Sequence, residues 1–171
     1  CSSLQGPYWE EVTLSSSLGG MGMRQATEHC DAAYVASVSG CFQLCTALDV
    51  THVWEGTDPD SAFFAAVSSL NMRIADHAHL AITEPSVFKQ KALSAALDKG
   101  KFGILLHNYG ELDQARLRAK AAPRASAWLE AVPNPALALH IDNNRFQLLI
   151  QWWFGGDVYP RDRICPRCRL G

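Results

Sequence analysis

The sequence contains no long apolar run, no internal repeat and no low-complexity stretch. No segment approaches 18 consecutive apolar residues, so no membrane-spanning helix is predicted. The chain does not open with a basic stretch followed by an apolar one, so no signal peptide is predicted. Apolar residues still make up 48% of the 171 residues. These features predict a folded chain that buries a sizeable core of its own.

Familiar catalytic and nucleotide-binding motifs are also missing. The sequence has no G-x-S-x-G, no P-loop and no G-x-G-x-x-G after a strand. Its glycine-rich block, Gly19–Gly22, lacks the following Lys-Ser/Thr of a phosphate-binding loop. The paired acids Glu10 and Glu11 lie in no catalytic pattern and fit ordinary surface or capping roles. The residues alone therefore predict no self-sufficient active site.

Charge is unevenly distributed along the chain. Residues 1–115 carry 6 basic and 13 acidic residues, whereas residues 116–171 carry 9 basic and 4 acidic ones. A basic C-terminal third is compatible with contact to a phosphate backbone. Ordinary solvated surface is the alternative interpretation.

Apolar periodicity predicts helices over residues 23–48, 59–79, 83–97, 101–122 and 142–154. We expect Gly40 to divide the first and Lys99-Gly100 to end the third. Asp58 is the expected N-cap of the second, with Pro59 at its first position, and Asp142 that of the last. Residues 137–141 alternate in polarity and predict a short extended segment.

The predicted fold class is therefore all-α or mostly α, an irregular helical bundle with a short extended segment and an irregular basic tail. From its 171 residues we expect a single domain or a compact fragment of a longer protein. The chain starts at Cys1 and not at Met, which indicates either that an upstream segment was removed or that this is a piece of a longer polypeptide. Residues 1–122 are expected to form the bundle, and residues 123–171 a Trp/Pro segment, a helix and the basic CxxC tail. Residues 1–17 are predicted to form a loop or a short extended segment, with Tyr8 and Trp9 as core anchors.

The six cysteines form a scattered group and one close pair. Cys30, Cys41 and Cys45 lie in an apolar helical segment and are predicted to be buried, reduced thiols. Cys165 and Cys168 form a CxxC pair, which supplies half of a zinc site. A disulfide and a redox pair are the alternatives for these two residues.

Two histidines near an acid form the remaining candidate constellation. His77 and His79 lie two residues apart beside Asp76, and on a strand they would share one face. On the predicted helix they diverge, which favours solvated or capping roles over a metal site. An enzyme with its own site would rest on these residues alone.

Three blocks in order resemble a known family. The first block is Leu18-Gly19-Gly20-Met21-Gly22-Met23-Arg24 with Ala33-Tyr34-Val35-Ala36-Ser37. The second block is Ala125-Ser126-Ala127-Trp128-Leu129 with Val132-Pro133. The third block is Phe154-Gly155, followed by Ile164-Cys165-Pro166-Arg167-Cys168. Together they resemble the region after the catalytic core of non-LTR retrotransposon reverse transcriptases, from thumb and connector to zinc knuckle. Ser15 departs from the family pattern, which commonly has proline there. The family's catalytic Asp-Asp turn, and the His and last Cys of its knuckle, are absent.

The resemblance implies an accessory role without catalysis: holding an RNA/DNA template–primer duplex inside a larger polymerase. Under it, the phosphate-contact candidates are Arg24, Arg116, Arg118, Lys120 and Arg124, and the zinc half-site is Cys165 and Cys168. It implies an intracellular location, nuclear or cytoplasmic, and no membrane partner. The sequence does not indicate the oligomeric state. The alternative is a free-standing, secreted and disulfide-bonded structural or ligand-binding protein derived from a retroelement fragment.

Overall fold

The computed structural model describes residues 7–137, 140–156 and 158. Within these residues the chain forms α1 (Pro7–Thr13), α2 (Ala26–Leu48), α3 (Ala62–Asn71), α4 (Gln90–Asn108), α5 (Glu111–Lys120) and α6 (Asn143–Trp153), and no β-strand. The prediction of a mostly α-helical protein is confirmed. No helix in the described ranges combines the length and hydrophobicity needed to cross a bilayer.

The longest helix, α2, packs against both α3 and α4. It runs without a break through Gly40, so the predicted division there is wrong. One glycine costs a helix only about 1 kcal/mol. Burial of Ala32, Val35 and Ser39 against the neighbouring helices outweighs that cost.

Helix α3 begins later and ends earlier than its apolar pattern predicts. The Ser61 hydroxyl caps it by accepting a hydrogen bond from the Phe64 N–H at 3.0 Å. Asp58 instead accepts from the N–H of Asp60 at 3.0 Å and closes the preceding turn. The helix ends at Asn71, so His77 falls in a separate 3₁₀ turn.

Helix α4 begins at Gln90 and continues through Lys99 and Gly100 to Asn108. The predicted start at residue 83 and the predicted break at Gly100 are both wrong. Gly100 lies where the helix crosses the end of α3, and a Cβ added there would lie 2.2 Å from the Arg73 carbonyl oxygen. The glycine therefore permits close approach of two backbones, and the chain breaks only at Tyr109 and Gly110.

The two ends of the described chain differ from expectation in opposite ways. Residues predicted as a loop form α1, and its Tyr8 and Trp9 keep 38% and 37% of their surface exposed, so neither is a core anchor. At the other end the predicted cap is confirmed, because the Asp142 carboxylate accepts from the Arg145 N–H at 3.0 Å. Leu137 lies in a 3₁₀ turn and residues 138–139 lie outside the described ranges.

Buried apolar side chains form three clusters. The main core joins α2, α3 and the first half of α4 around Phe63, and two smaller clusters surround Trp153 and Leu117. The two smaller clusters tie α1 and the glycine-rich block to α4, α5 and α6. They lie on either side of Glu11, through its neighbours Val12 and Leu14.

The three described cysteines are free, and they are not buried as predicted. Cys30 and Cys41 are exposed and Cys45 is half-buried. All three lie on α2, whose buried face consists instead of Ala32, Val35 and Ser39. Cys1, Cys165 and Cys168 lie outside the described residues.

Candidate functional site

The glycine-rich block lies folded against α1. Its backbone N–H groups at Gly19, Gly20, Met21 and Gly22 donate to carbonyl oxygens of residues 12–16. A Cβ on Gly20 would lie 2.0 Å from the Leu14 carbonyl oxygen, so this position admits only glycine without rearrangement. Because its amides are already used within the chain, the block does not form an anion-binding cradle.

Gly19 brings this block into contact with α5 and α6. Its φ is 84°, in the region that favours glycine, and an added Cβ would lie 2.5 Å from Cβ of Lys120. Its carbonyl oxygen accepts a hydrogen bond from Nε1 of Trp153 at 2.8 Å. The first sequence block is thus joined to the last helix.

Glu11 lies at the centre of these contacts with 0% of its surface exposed. Arg116 donates to both of its carboxylate oxygens, with Nη2–Oε1 at 2.6 Å and Nη1–Oε2 at 2.8 Å. The Lys120 ammonium donates to Oε2 and is itself only 4% exposed. We call Glu11, Arg116 and Lys120 the Glu11 cluster.

Burial and charge pairing shift the pKa values of the Glu11 cluster and of the nearby Tyr109. Burial raises the pKa of Glu11, but the hydrogen bonds and charges of Arg116 and Lys120 outweigh it and leave this pKa below its usual value. Burial lowers the pKa of Lys120 to about 8, against the opposing pull of Glu11. Burial also raises the pKa of Tyr109, with the charge of Glu11 and a hydrogen bond to it acting in the same direction.

Aromatic rings cover the buried lysine. Its ammonium lies 4.4 Å from the centroid of Phe154 and 5.7 Å from that of Trp153, both suitable for cation–π attraction. Trp128 packs edge-on against Trp153 with centroids 5.4 Å apart. Gly155, at φ 76°, allows the chain to turn beside Arg116, since an added Cβ would lie 2.8 Å from Nε. Parts of all three sequence blocks therefore meet at the Glu11 cluster.

The five predicted phosphate-contact residues fall into three groups. Arg116 and Lys120 point inward and pair with Glu11, with side chains 19% and 4% exposed. Arg24 remains 41% exposed but pairs with Asp98 at 2.8 Å. Arg118 and Arg124 are exposed, and within the described part of the chain neither pairs with a carboxylate.

A separate cleft of about 370 Å³ lies between α1, α2 and α4. Leu97, Ile104 and Leu105 form its apolar wall. At its polar side the Lys101 ammonium contacts Glu10 at 2.5 Å and both oxygens of Glu28 at 3.0 Å. It is a half-open cleft with a charged edge, of a size that suits a small ligand.

A histidine, a serine and an aspartate beside the cleft match a catalytic triad in residue type, but the serine is not accessible to a substrate. Nδ1 of His29 lies 3.2 Å from the Ser94 hydroxyl, and its Nε2 lies 3.7 Å from Asp98. Ser94 is only 2% exposed and does not line the cleft, so its hydroxyl is not presented to a substrate. Burial lowers the pKa of His29, with Asp98 opposing, and keeps the ring neutral near pH 7. The arrangement fastens α2 to α4.

Within the described residues, His77 and His79 belong to no group suited to a metal ion. No group of three or more His, Cys, Asp or Glu side chains suited to a metal occurs in the ranges that the structure describes. Nε2 of His79 lies 3.6 Å from Asp76, while His77 belongs to a 3₁₀ turn. Cys165 and Cys168 lie outside the described residues, so the zinc half-site stays a prediction.

The sequence analysis assigned Glu11 an ordinary surface or capping role, which its burial contradicts, and it did not single out Asp98 or Lys101. All three are charged residues whose partners lie more than 70 positions away in the chain. Apolar Val12 and Leu14 beside Glu11 were the available signal that this segment is buried. No protein-family model, curated protein or solved structure matches the chain.

Proposed function

We propose that this chain is an accessory nucleic-acid-binding segment that holds a duplex through its phosphate backbone. The observation that carries the proposal is the exposure of Arg118 and Arg124, two guanidinium groups without a carboxylate partner in the described residues. Among the described residues, the Arg118 side chain bonds only the neutral Gln114, at 3.3 Å. Exposed, uncompensated cations are the groups that displace counterions from nucleic acid.

The Glu11 cluster supports this role indirectly. Glu11 pairs with both Arg116 and Lys120, and the cluster holds the glycine-rich block, α5 and α6 together. Arg118 lies on the same helix as Arg116 and Arg124 follows that helix, so the clamp provides a fixed platform for both exposed arginines. Four further arginines lie between residues 159 and 171 of the sequence.

The resemblance to the region after the catalytic core of non-LTR retrotransposon reverse transcriptases gives the partner its chemical class. A template–primer duplex is held independently of sequence when the contacts go to phosphate oxygens. Each of the two arginines supplies a planar donor group that suits a phosphate. The proposed partner is therefore an RNA/DNA duplex bound through its backbone.

Fluorescence anisotropy with a labelled RNA/DNA hybrid tests this proposal. We expect affinity to fall steeply as salt rises, and the R118Q/R124Q variant to lower the steepness of the log–log salt dependence by about 2. K91Q/K99Q is the matched control, since it removes two exposed cations from α4. Absence of binding at low salt, or equal losses in both double variants, would contradict the proposal.

The cleft favours a second candidate function, binding of a small ligand. Its wall of Leu97, Ile104 and Leu105 beside the Lys101 ammonium suits an apolar molecule with an anionic group. The fluorescent probe 8-anilinonaphthalene-1-sulfonate has this character. We expect the folded chain to enhance its fluorescence, I104D to abolish the enhancement and L112D, at an exposed leucine of α5, to leave it unchanged.

A further inference from the structure

Helix α2 carries a second apolar stripe on the side that faces away from the core. All six of its members are exposed, five of them apolar or aromatic and one a serine. They recur at alternating spacings of four and three residues: Cys30, Tyr34, Ser37, Cys41, Leu44 and Leu48. An average spacing of 3.5 residues is the heptad pattern by which two helices pair along their length. Leu44 and Leu48 are 68% and 91% exposed.

The opposite side of α2 is already occupied. Ala32, Val35 and Ser39 are buried against α3 and α4. A helix that is apolar on both sides is normally covered on both, because a surface helix usually carries charge on its outer side. Residues 32–48 contain no charged residue at all.

Gly40 gives an independent indication on the flank of the same stripe. It lies inside the helix, where glycine is unfavourable, and an added Cβ would meet nothing within 4 Å. The chain's own packing therefore does not require glycine there. Ala33, Gly40 and Ala47 recur every seven residues along this flank, which leaves room for a second helix to approach closely.

We infer that the outer face of α2 pairs with the same face of a second copy of this chain. An uncharged surface can meet its own copy without like-charge repulsion, whereas a charged partner would find no complementary group among residues 32–48. The stripe together with Val50 and Val53, which follow α2, exposes on the order of 600 Å² per chain. A symmetric pair can therefore bury up to roughly 1,200 Å², which is the lower limit for a specific interface.

Sedimentation velocity of the full chain under reducing conditions tests this inference. We expect a species of twice the chain mass to grow with concentration, and the L44K/L48K variant to remain monomeric. Since both leucines are exposed, the variant should keep the helical circular dichroism of the parent. The matched control is M72K/L112K, which places two lysines at equally exposed apolar positions off α2 and should dimerise normally.

Alkylation of Cys41 provides a second readout on the same face. Its thiol is exposed in the single chain, so pairing should slow its reaction with iodoacetamide as protein concentration rises. The L44K/L48K variant should show no such dependence. A parent chain that stays monomeric at high concentration, or a variant that dimerises equally well, would overturn the inference. Nucleic-acid binding is read separately and does not depend on this result.

Discussion

Glu11 is a carboxylate with no exposed surface that holds two cations in place. Removing charges from water is costly, and the attraction within such a cluster recovers that cost only when every group is hydrogen-bonded. Here both oxygens of Glu11 accept hydrogen bonds, and no buried side-chain polar atom in the described residues lacks a partner. The cluster therefore depends on all of its members together.

Replacing Glu11 with glutamine should destabilise the chain strongly. The change leaves the buried Lys120 ammonium without a counter-charge and leaves Arg116, 19% exposed, with only Asp113 at 3.1 Å. Breaking a buried pair in this way costs about 3–5 kcal/mol. The measurement is the free energy of unfolding in urea at pH 7. The control E84Q, at an exposed glutamate, should change it by less than about 0.5 kcal/mol.

Stability should also depend on Glu11 in acid. Its pKa in the folded chain lies below the ordinary value of 4.5, so below that pH the unfolded chain binds the proton more readily. The contribution of Glu11 is complete above about pH 4.5 and is lost as pH falls through the folded pKa. Urea unfolding at several pH values should show a decline that E11Q lacks. Parallel declines in parent and variant would argue against this assignment.

Little of the site could be predicted from the residues around each member. Glu11 follows Glu10, and the two have the same side chain and nearly the same sequence neighbours. Yet Glu10 remains partly exposed and contacts Lys101, while Glu11 is fully enclosed. What separates them is which side of α1 meets α5, a contact made across about 100 residues.

At the scale of the element, glycines in helices show the same dependence on tertiary contact. Gly40, Gly100 and Gly103 all lie inside helices, and none ends one. Only Gly100 faces another backbone, that of Arg73. Local propensity treats these positions alike, whereas the folded chain does not.

The pair Gly100 and Gly103 allows a direct test within one helix. G100A should destabilise by about 1–3 kcal/mol, because its Cβ would collide with the Arg73 carbonyl oxygen. G103A meets nothing within 4 Å and should stabilise by up to about 1 kcal/mol through helix propensity. Both values come from urea unfolding. Equal effects of the two substitutions would show that the close approach does not matter.

Helices with local signals were predicted more accurately than those without. Asp142 caps α6 through its own side chain, a signal contained in four consecutive residues. The end of α2 at Leu48 also agrees with its apolar pattern. The boundary of α3 was displaced because Ser61 and Asp58 are both good caps, and their competition was decided by the surrounding turn.

At the scale of the whole molecule, three blocks that are distant in the sequence converge on one cluster. Through these contacts the three blocks hold the two ends of the described chain together. It leaves the functional assignment to exposed residues, of which Arg118 and Arg124 are the candidates. Cys165 and Cys168, the predicted zinc half-site, lie outside the described residues and need a separate test.

Zinc uptake should depend on the CxxC pair. We expect the reduced chain to retain Zn²⁺ through gel filtration, measured by elemental mass spectrometry, and C165S/C168S to lose it, because two thiolates at this spacing can bind one ion. C41S serves as the control, since Cys41 is an isolated exposed thiol of α2. Retention by the C165S/C168S variant would exclude this pair as the ligands.

The hydrogen bond from Trp153 to Gly19 joins residues 134 positions apart. The main core is built from residues 32–97 alone. Glu11 can make its contacts only once α5 is present, and the glycine-rich block can bond Trp153 only once α6 is present. Such distant contacts are slow to form, and domains assemble in the order of synthesis. Helix α1 is thus expected to be among the last of the described helices to be secured, and during translation we expect it to stay accessible to proteases until α5 has been synthesised.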